Sequence, residues 1–535
     1  MGKFKKLSDE DIEYIKAIYF TNISHQEKLD ILTAKHGVVG RTVRQWWIKL
    51  ELTEAGRIRK LPKVLRDARE KEIDVETEII MVTAAQNKTI ANRPMYENMQ
   101  AYGKFMESEF GKKSQIVIIP SRYRNPTSPV EAEKKKVDMW WDSSVVPDIY
   151  YNKLLFGDVM ISATSRIRPT ANMPLSGYES LASDNHLIIG HPRLHLKVMP
   201  RFRNDDLRIM CTSGYVTRKN YSDSKAGDKG FVHHSYGFVV IEKKPDGTCY
   251  PPRIVKVKDD GSFIDYKYSV SDGDVAVIDE AAAYVWGDIH HRELNKHKYK
   301  ASMKLTKELN PEKTVFHDLF DGSTVNPHEK DDLFIRKLKI TQGLHIVDEE
   351  VEESLKFLKK FSKKYKGDIY VVQSNHDDFL DRYINKQNWK NDLHNSGAYL
   401  KYAAIQQSTD LREYGNIYGA IISERFKGKI VYVRNNESLK VQSYQCGYHG
   451  DHGVNGARGS ITSFKRLNTK MIHGHGHTPI MMDGVTMVGV SCNLWQYYNS
   501  KGLSSWAYAD SIIHKNGKNQ LIIFDDKTFE FTNLR

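Results

Sequence analysis

The sequence predicts a mixed α/β fold: an all-α module at the N-terminus, a middle region of mixed strands and helices, and a C-terminal α/β layered domain. Three observations carry this. From about residue 276, apolar strand-like runs alternate with a helical stretch and with loops rich in Asp, His and Asn. Residues 79–119 read strand, helix, strand. Residues 8–52 carry two helix-capping patterns, each leading into an apolar stripe at helical spacing. At 535 residues the chain exceeds one ordinary core. Domains are therefore expected over 1–70, 71–275 and 276–535.

Composition narrows the class. Eighty Lys+Arg against 67 Asp+Glu give a net charge of +13, which suits a polyanionic partner or a merely solvated basic surface. Cys211, Cys249, Cys446 and Cys492 are widely spaced without a CxxC, which argues against a zinc ribbon or a disulfide framework. No stretch approaches the roughly 18 apolar residues of a membrane span, and the basic start Met1–Leu7 leads into an acidic helical segment. Lys6 stands where a myristoylation signal needs Ser or Thr. A reduced, soluble, cytoplasmic protein without a membrane partner is expected.

In the N-terminal module, Ser8 with Asp11 and Ser24 with Glu27 are capping pairs. The stripes behind them are Ile12, Ile15, Ile18 and Tyr19, then Leu29, Leu32 and Ala34, and Gly37 closes the second helix. After the turn Val38-Val39-Gly40 a third helix runs through Leu50, with Val43, Trp47 and Leu50 toward the core. That leaves Arg41, Thr42, Arg44, Gln45 and Lys49 on another face. Helix, short glycine-bearing turn and a helix with such an outer face resemble a helix-turn-helix DNA-binding module, the bland alternative being a helical hairpin used for packing. Arg57, Arg59, Lys60, Lys63, Arg66 and Arg69 form a basic connector, either a helix on a phosphate backbone or a solvated linker.

The middle region opens with a βαβ pattern: Ile79–Val82, a helix from Pro94 to Phe110 capped by Gly111, then Gln115–Ile119. Apolar runs at 159–161, 187–189, 208–211 and 238–241 suggest a mixed sheet. Lys134–Lys136, Arg166 and Arg168 are basic points, and His233-His234 lacks a partner pattern and reads as structural. No activity is legible here.

The C-terminal domain holds the chemistry. Tyr284–Trp286 reads as a buried strand ending in Asp288 and His290, which as i and i+2 on a strand would share a face. Next come His317-Asp318-Leu319-Phe320-Asp321 and Ser374-Asn375-His376-Asp377, each behind a strand-like run, with a helix at 351–365 between them. Residues 429–433 and 439–444 look like an antiparallel hairpin before His449. His473-Gly474-His475-Gly476-His477 follows, and 487–492 and 520–524 supply late strands. One Asp-x-His pair is weak; five such clusters in order are not.

This order resembles the signature of the calcineurin-like metallophosphoesterase superfamily: Asp-x-His, Gly-Asp-x-x-Asp, Gly-Asn-His-Asp/Glu, His, Gly-His-x-His. His317 and Ser374 depart from it, standing where the family has glycine. The resemblance covers the C-terminal half and implies a four-layer β-sandwich-type domain flanked by helices. It also implies two divalent ions, best Mn2+, with Fe or Zn as alternatives. Asp288, His290 and His477 would hold one ion and Asn375, His449 and His475 the other, with Asp318 bridging. A metal-bridging hydroxide would attack phosphate, and His376 would protonate the leaving oxygen. Asp321 would support the bridging loop. His473 would be a loop residue, and Asp451, His452 and Arg458 are kept outside the set.

Fold and metals do not choose a substrate. The N-terminal module, the charge, and Trp495, Tyr497, Tyr498 and Trp506 as stacking candidates favour DNA as the partner, as in the double-strand-break repair nucleases. The combination is also similar to early DNA-degrading, DNA-transfer proteins of large tailed phages, which would imply host-DNA destruction in the host cytoplasm by a homo-oligomer. The alternatives are a phosphomonoesterase or protein phosphatase with a basic recruitment surface, and a DNA-binding regulator with an inactive metal fold. Deleting residues 1–52 should weaken DNA affinity and flatten its salt dependence while sparing hydrolysis of a small diester. Unchanged affinity, measured by salt titration of DNA binding, would remove the helix-turn-helix reading.

Overall fold

The computed structural model describes residues 7–20, 24–50, 71–123, 141–164, 167–386, 389–496, 499 and 501–534. The basic connector, Lys134–Lys136, Arg166, Tyr497 and Tyr498 lie outside the described residues. The chain divides into two compact units, one holding the described residues up to 71 and the other those from 72 onward.

The first unit contains three helices, Asp9–Phe20, His25–His36 and Gly40–Lys49. Both capping pairs form. Asp11 N–H donates to Ser8 Oγ at 3.1 Å and Ser8 N–H to Asp11 Oδ2 at 3.3 Å. Glu27 N–H donates to Ser24 Oγ at 3.2 Å and Ser24 N–H to Glu27 Oε2 at 2.8 Å. Gly37 ends the second helix at φ 61°, and its N–H donates to the Thr33 carbonyl. The core is Ile15, Leu29, Leu32, Val43, Trp46 and Trp47, with Leu50 packed against it and Ala34 exposed. Trp46 joins unexpectedly because the third helix meets two neighbours. Trp47 packs edge-on to Tyr19 at 5.1 Å, and Trp46 edge-on to His36 at 5.3 Å. Arg41 and Arg44 are exposed and Thr42 is half-buried. The side chains of Gln45 and Lys49 lie outside the described ones.

In the second unit, strands Ile79–Gln86 and Ser114–Ser121 pair in parallel across the helix Arg93–Phe110, which is the expected βαβ unit. They belong to a four-stranded sheet with Gly237–Glu242 and Arg253–Lys256. Further along, Ala283–Val285, Lys313–Phe316, Asp368–Val372 and Ile430–Val433 run parallel in a six-stranded sheet. Its other edge is the antiparallel pair Ala509–Ile513 and Asn519–Ile523. A ten-stranded sheet faces it. Val285, Val315, Val372 and Val433 from one sheet share a core with Val441, Tyr444 and Ile472 from the other.

The helix Val347–Lys364 covers the opposite side of the six-stranded sheet. Its Phe361 lies 4.9 Å from Phe316 and 5.9 Å from Trp286, ring centre to ring centre. Alternation along the strand explains the split: Val285 faces the second sheet, while Trp286 faces the helix.

Two connections differ from the sequence expectation. Residues 430–433 and 440–441 do not form a hairpin with each other. The first pairs in parallel with 368–372, and the second pairs antiparallel with 444–445 in the ten-stranded sheet. Apolar runs with a short connector read alike whether they pair or part, and here the first joins a parallel sheet while the second turns back on its own next two-residue strand. In addition, Ile480–Met482 pairs antiparallel with Leu196–Val198, so one sheet joins strands from both sides of residue 275.

A buried ion pair locks this frame beside the Asp288 loop. Lys298 Nζ, on the helix Lys296–Leu309, donates to Asp510 Oδ2 at 2.6 Å, and both side chains are fully buried. Tyr284 Oη at 2.5 Å and Ser302 Oγ at 2.6 Å donate to the same oxygen, and Gly287 N–H donates to Oδ1 at 2.8 Å. Replacing Lys298 by Met strands a buried carboxylate, so a stability loss of about 3–5 kcal/mol is expected. Chemical denaturation of the two proteins checks it.

Candidate metal centre

The sequence-predicted ligands fall in loops just past strand ends. Asp288 and His290 follow Ala283–Val285, Asp318 follows Lys313–Phe316, and Asn375 and His376 follow Asp368–Val372. These strands are adjacent and parallel, so their carboxyl ends open on one side. His449 follows Tyr444–Gln445, while His475 and His477 follow Lys470–His473 in the facing sheet.

Asp288, His290, Asp318 and His477 are buried, and their donor atoms all lie within 4.8 Å of one another. His477 Nε2 is 3.2 Å from Asp288 Oδ2 and 3.1 Å from His290 Nε2, and His290 Nε2 is 3.5 Å from Asp318 Oδ2. The other three predicted ligands continue the cluster. His449 Nε2 is 3.1 Å from Asp318 Oδ2, His475 Nδ1 is 3.1 Å from Asn375 Oδ1, and the rings of His449 and His475 lie 5.2 Å apart.

Whether these residues fit a cation is decided by their lone pairs. Asp288 Oδ1, Asp318 Oδ1 and His449 Nδ1 are buried without a hydrogen-bond partner among the described residues, and the 3.1 Å approach of His449 Nε2 to Asp318 Oδ2 is not a well-aligned hydrogen bond. Burying such atoms unpaired costs several kcal/mol each unless something charged meets them. Carboxylate and imidazole lone pairs converging on one point are what a divalent cation requires, and the cluster can hold a metal ion.

The backbone is bent to achieve this. His290, Asp318, His475 and His477 have φ of 41°, 43°, 71° and 58°, a left-handed region that costs non-glycine residues about 1–3 kcal/mol each. Asp288 and His290 therefore converge through a left-handed turn, not through strand alternation: the strand has already ended at Val285. Gly474 allows the close approach of the two sheets, since a Cβ there would sit 2.0 Å from Asp288 Oδ1.

Electrostatics follow from burial and proximity. Burial opposes a charged His449, but Asp318 and Asp288 outweigh it and push its pKa up to about 10. His290 is likewise buried, and Asp321 and Asp318 carry it up to about 9. Burial would raise Asp318, yet His449 and His376 hold it well below the usual carboxylate range. Without a cation, protonated histidines supply the counter-charge.

Neighbouring residues fix the ligands. Asp321 Oδ1 accepts from His290 Nδ1 at 3.0 Å, which turns Nε2 inward. Its carbonyl accepts from His376 Nδ1 at 2.6 Å. At the two departures from the family pattern, His317 is a fully buried ring beside His449, pushed down to about 3 by burial. Ser374 and Asp377 bond reciprocally across the Asn375-His376 turn at 3.1 and 3.3 Å. His473 is the buried last residue of a strand, not a loop residue, with Nδ1 donating to the Gly474 carbonyl at 2.9 Å. Asp451 is buried with His452 Nδ1 2.6 Å away.

The cluster opens into a cavity of about 690 Å3, lined by Asp318, Asn375, His376, His475, His477 and Arg458 among others. Arg458, set aside on sequence, thus lies on its wall, signalled only by the glycines flanking the Gly456–Gly459 loop. Lys501 also lines it and had no sequence signal. Trp506 packs edge-on against the His477 ring at 4.2 Å. Trp495 lines a different cavity.

The chain is similar to Protein A1 of Escherichia phage T5, with 25% identity over 512 residues covering 92% of this chain and 85% of that protein. No family model matches the chain. No solved structure matches it either. Manganese should raise the melting temperature of the intact chain, and Asp318→Asn should abolish the rise. Asp321→Ala should weaken metal affinity about 10–100-fold by freeing the His290 ring, as calorimetric titration would measure.

Proposed function

We propose that the chain is a dinuclear-metal-dependent DNA phosphodiesterase of calcineurin-like type. The observation that carries this reading is the set of partnerless buried oxygens and nitrogens of Asp288, Asp318 and His449 opening onto a cavity that also exposes His376 and Arg458. Asp288, His290 and His477 would hold one ion, and Asn375, His449 and His475 a second, with Asp318 shared. Mixed carboxylate and imidazole donors suit manganese, with iron or zinc as alternatives. When bound, such ions supply Lewis acidity at neutral pH.

The chain's own residues do the rest. His376 has Nδ1–H committed to the Asp321 carbonyl, so in the neutral ring Nε2 holds a lone pair, and it is the imidazolium form that would deliver an Nε2 proton to the leaving oxygen and return to the neutral ring. A diester has a poor leaving group, so this proton matters more than in an aryl phosphate. Arg458, exposed on the cavity wall, offers planar donors to a phosphate oxygen. Buried His317 and half-buried Trp506 pack against the His449 and His477 rings.

DNA as substrate is supported by the net charge of +13 and by exposed Arg41 and Arg44 on the third helix of the N-terminal unit, read as a helix-turn-helix. Similarity to a phage protein supports a phage setting, in which host DNA in the host cytoplasm would be the target. With manganese, the intact protein should degrade duplex DNA, and His376→Ala should do so about 10²–10⁴-fold more slowly while still binding metal. Closed-circular against linear substrate separates endo- from exonucleolytic cleavage. Failure of both proteins on DNA, with hydrolysis of a small phosphomonoester by the intact one, would replace this reading with a phosphatase.

A further inference from the structure

A second cavity, of about 420 Å3, shares no lining residue with the first. It lies at the start of the strand Lys470–His473, whose far end leads to His475 and His477. Lys256, Lys470 and Lys518 line it, from the end of one strand, the start of another and the turn before Asn519–Ile523. Lys256 Nζ and Lys470 Nζ lie 5.7 and 5.5 Å from the centre of the same ring, that of buried Tyr444. Lys256 also donates to Asn519 Oδ1, and Lys470 to Ser443 Oγ at 3.5 Å.

No carboxylate among the described residues lies within 4.0 Å of any of the three ammonium groups. The nearby acids are engaged or peripheral. Asp483 already receives Arg193 at 3.1 Å, His195 at 3.0 Å and Lys465 at 2.5 Å. Asp260 pairs with Lys258 at 2.8 Å, and Asp259 lines the cavity without an ion pair to any of the three lysines. Burial, then the charges of Lys470 and Lys518, push Lys256 down to about 7. When charged, Lys256, Lys470 and Lys518 repel one another, and Asp259 and Asp260, the acids that act on Lys518, make no ion pair with it, so a fold gains little from that arrangement by itself. A multivalent anion would reverse the sign of the interaction and accept hydrogen bonds from all three.

We propose that this cavity is a phosphate-binding subsite, remote from the metal cluster, in which Lys256, Lys470 and Lys518 hold a phosphoryl dianion or a backbone phosphate. The phosphoryl group comes either from a nucleic-acid backbone or from a free phosphate or mononucleotide. Only the first source rests on the DNA reading.

The test uses the full chain in chelator, so that the metal cluster takes no part, and the variant Lys470→Gln/Lys518→Gln, which leaves half-buried Lys256 in place. Inorganic phosphate, at ionic strength matched with chloride, should raise the melting temperature of the native chain saturably. The variant should lose that shift while melting no lower than the native chain in phosphate-free buffer. In parallel, fluorescence anisotropy follows a labelled duplex across a salt series. Weaker binding by the variant, with the slope of log affinity against log salt reduced by up to about one, assigns the site to a backbone phosphate. Unchanged duplex binding with a lost phosphate shift assigns it to a free phosphate or mononucleotide. Equal phosphate shifts and equal duplex binding for both proteins would overturn the proposal. Because every readout is binding, absence of DNA hydrolysis would sink the nuclease reading and leave this one standing.

Discussion

Two carboxylates buried within a few ångströms of each other set the terms for this structure. Asp288 and Asp318 are almost wholly removed from water, and three of their four oxygens make no well-aligned hydrogen bond among the described residues. Charges in that position are tolerated only when cations meet them. The surrounding histidines provide that charge when protonated, and a divalent ion can replace it. The cluster's geometry is thus a consequence of electrostatic need as much as of packing.

Holding such a cluster open requires a rigid frame. Adjacent parallel strands deliver the Asp288, Asp318 and Asn375 loops from one sheet, and the facing sheet delivers His449, His475 and His477. Asp510 ties the helix Lys296–Leu309, Tyr284 and the backbone of Gly287 into one buried node next to Asp288. His290 and Asp318 hold left-handed backbone in the loops beyond it. Glycine at 474 then lets the second sheet close on Asp288 without a side chain intervening.

Charge is distributed unevenly over the same frame. The metal cluster gathers carboxylates and imidazoles at one end of the strand Lys470–His473, and lysines gather at its other end. At the first end histidines raised by their carboxylate neighbours supply counter-charge in place of a cation, and at the second no carboxylate reaches ion-pair distance of Lys256, Lys470 or Lys518. For a chain proposed to act on a polyanion, the two ends of one strand would serve different parts of the same ligand.

How much was legible beforehand follows from how local each feature is. Helix caps at Ser8 and Ser24 and the βαβ unit at 79–121 depend on short spans of chain, and sequence determined them, whereas the Asp and His residues it singled out at 288, 290, 318 and 477 are brought together only by the fold. The tertiary structure alone decided the rest. Pairing sends residues 430–433 and 440–441 into different sheets and joins 480–482 to 196–198, because strand partners are chosen by long-range burial and register. Asp288 and His290 meet through a left-handed turn that no alternation rule contains. Lys256, Lys470 and Lys518 are separated by up to hundreds of residues in the chain, so only the folded sheets could bring their charges to one wall.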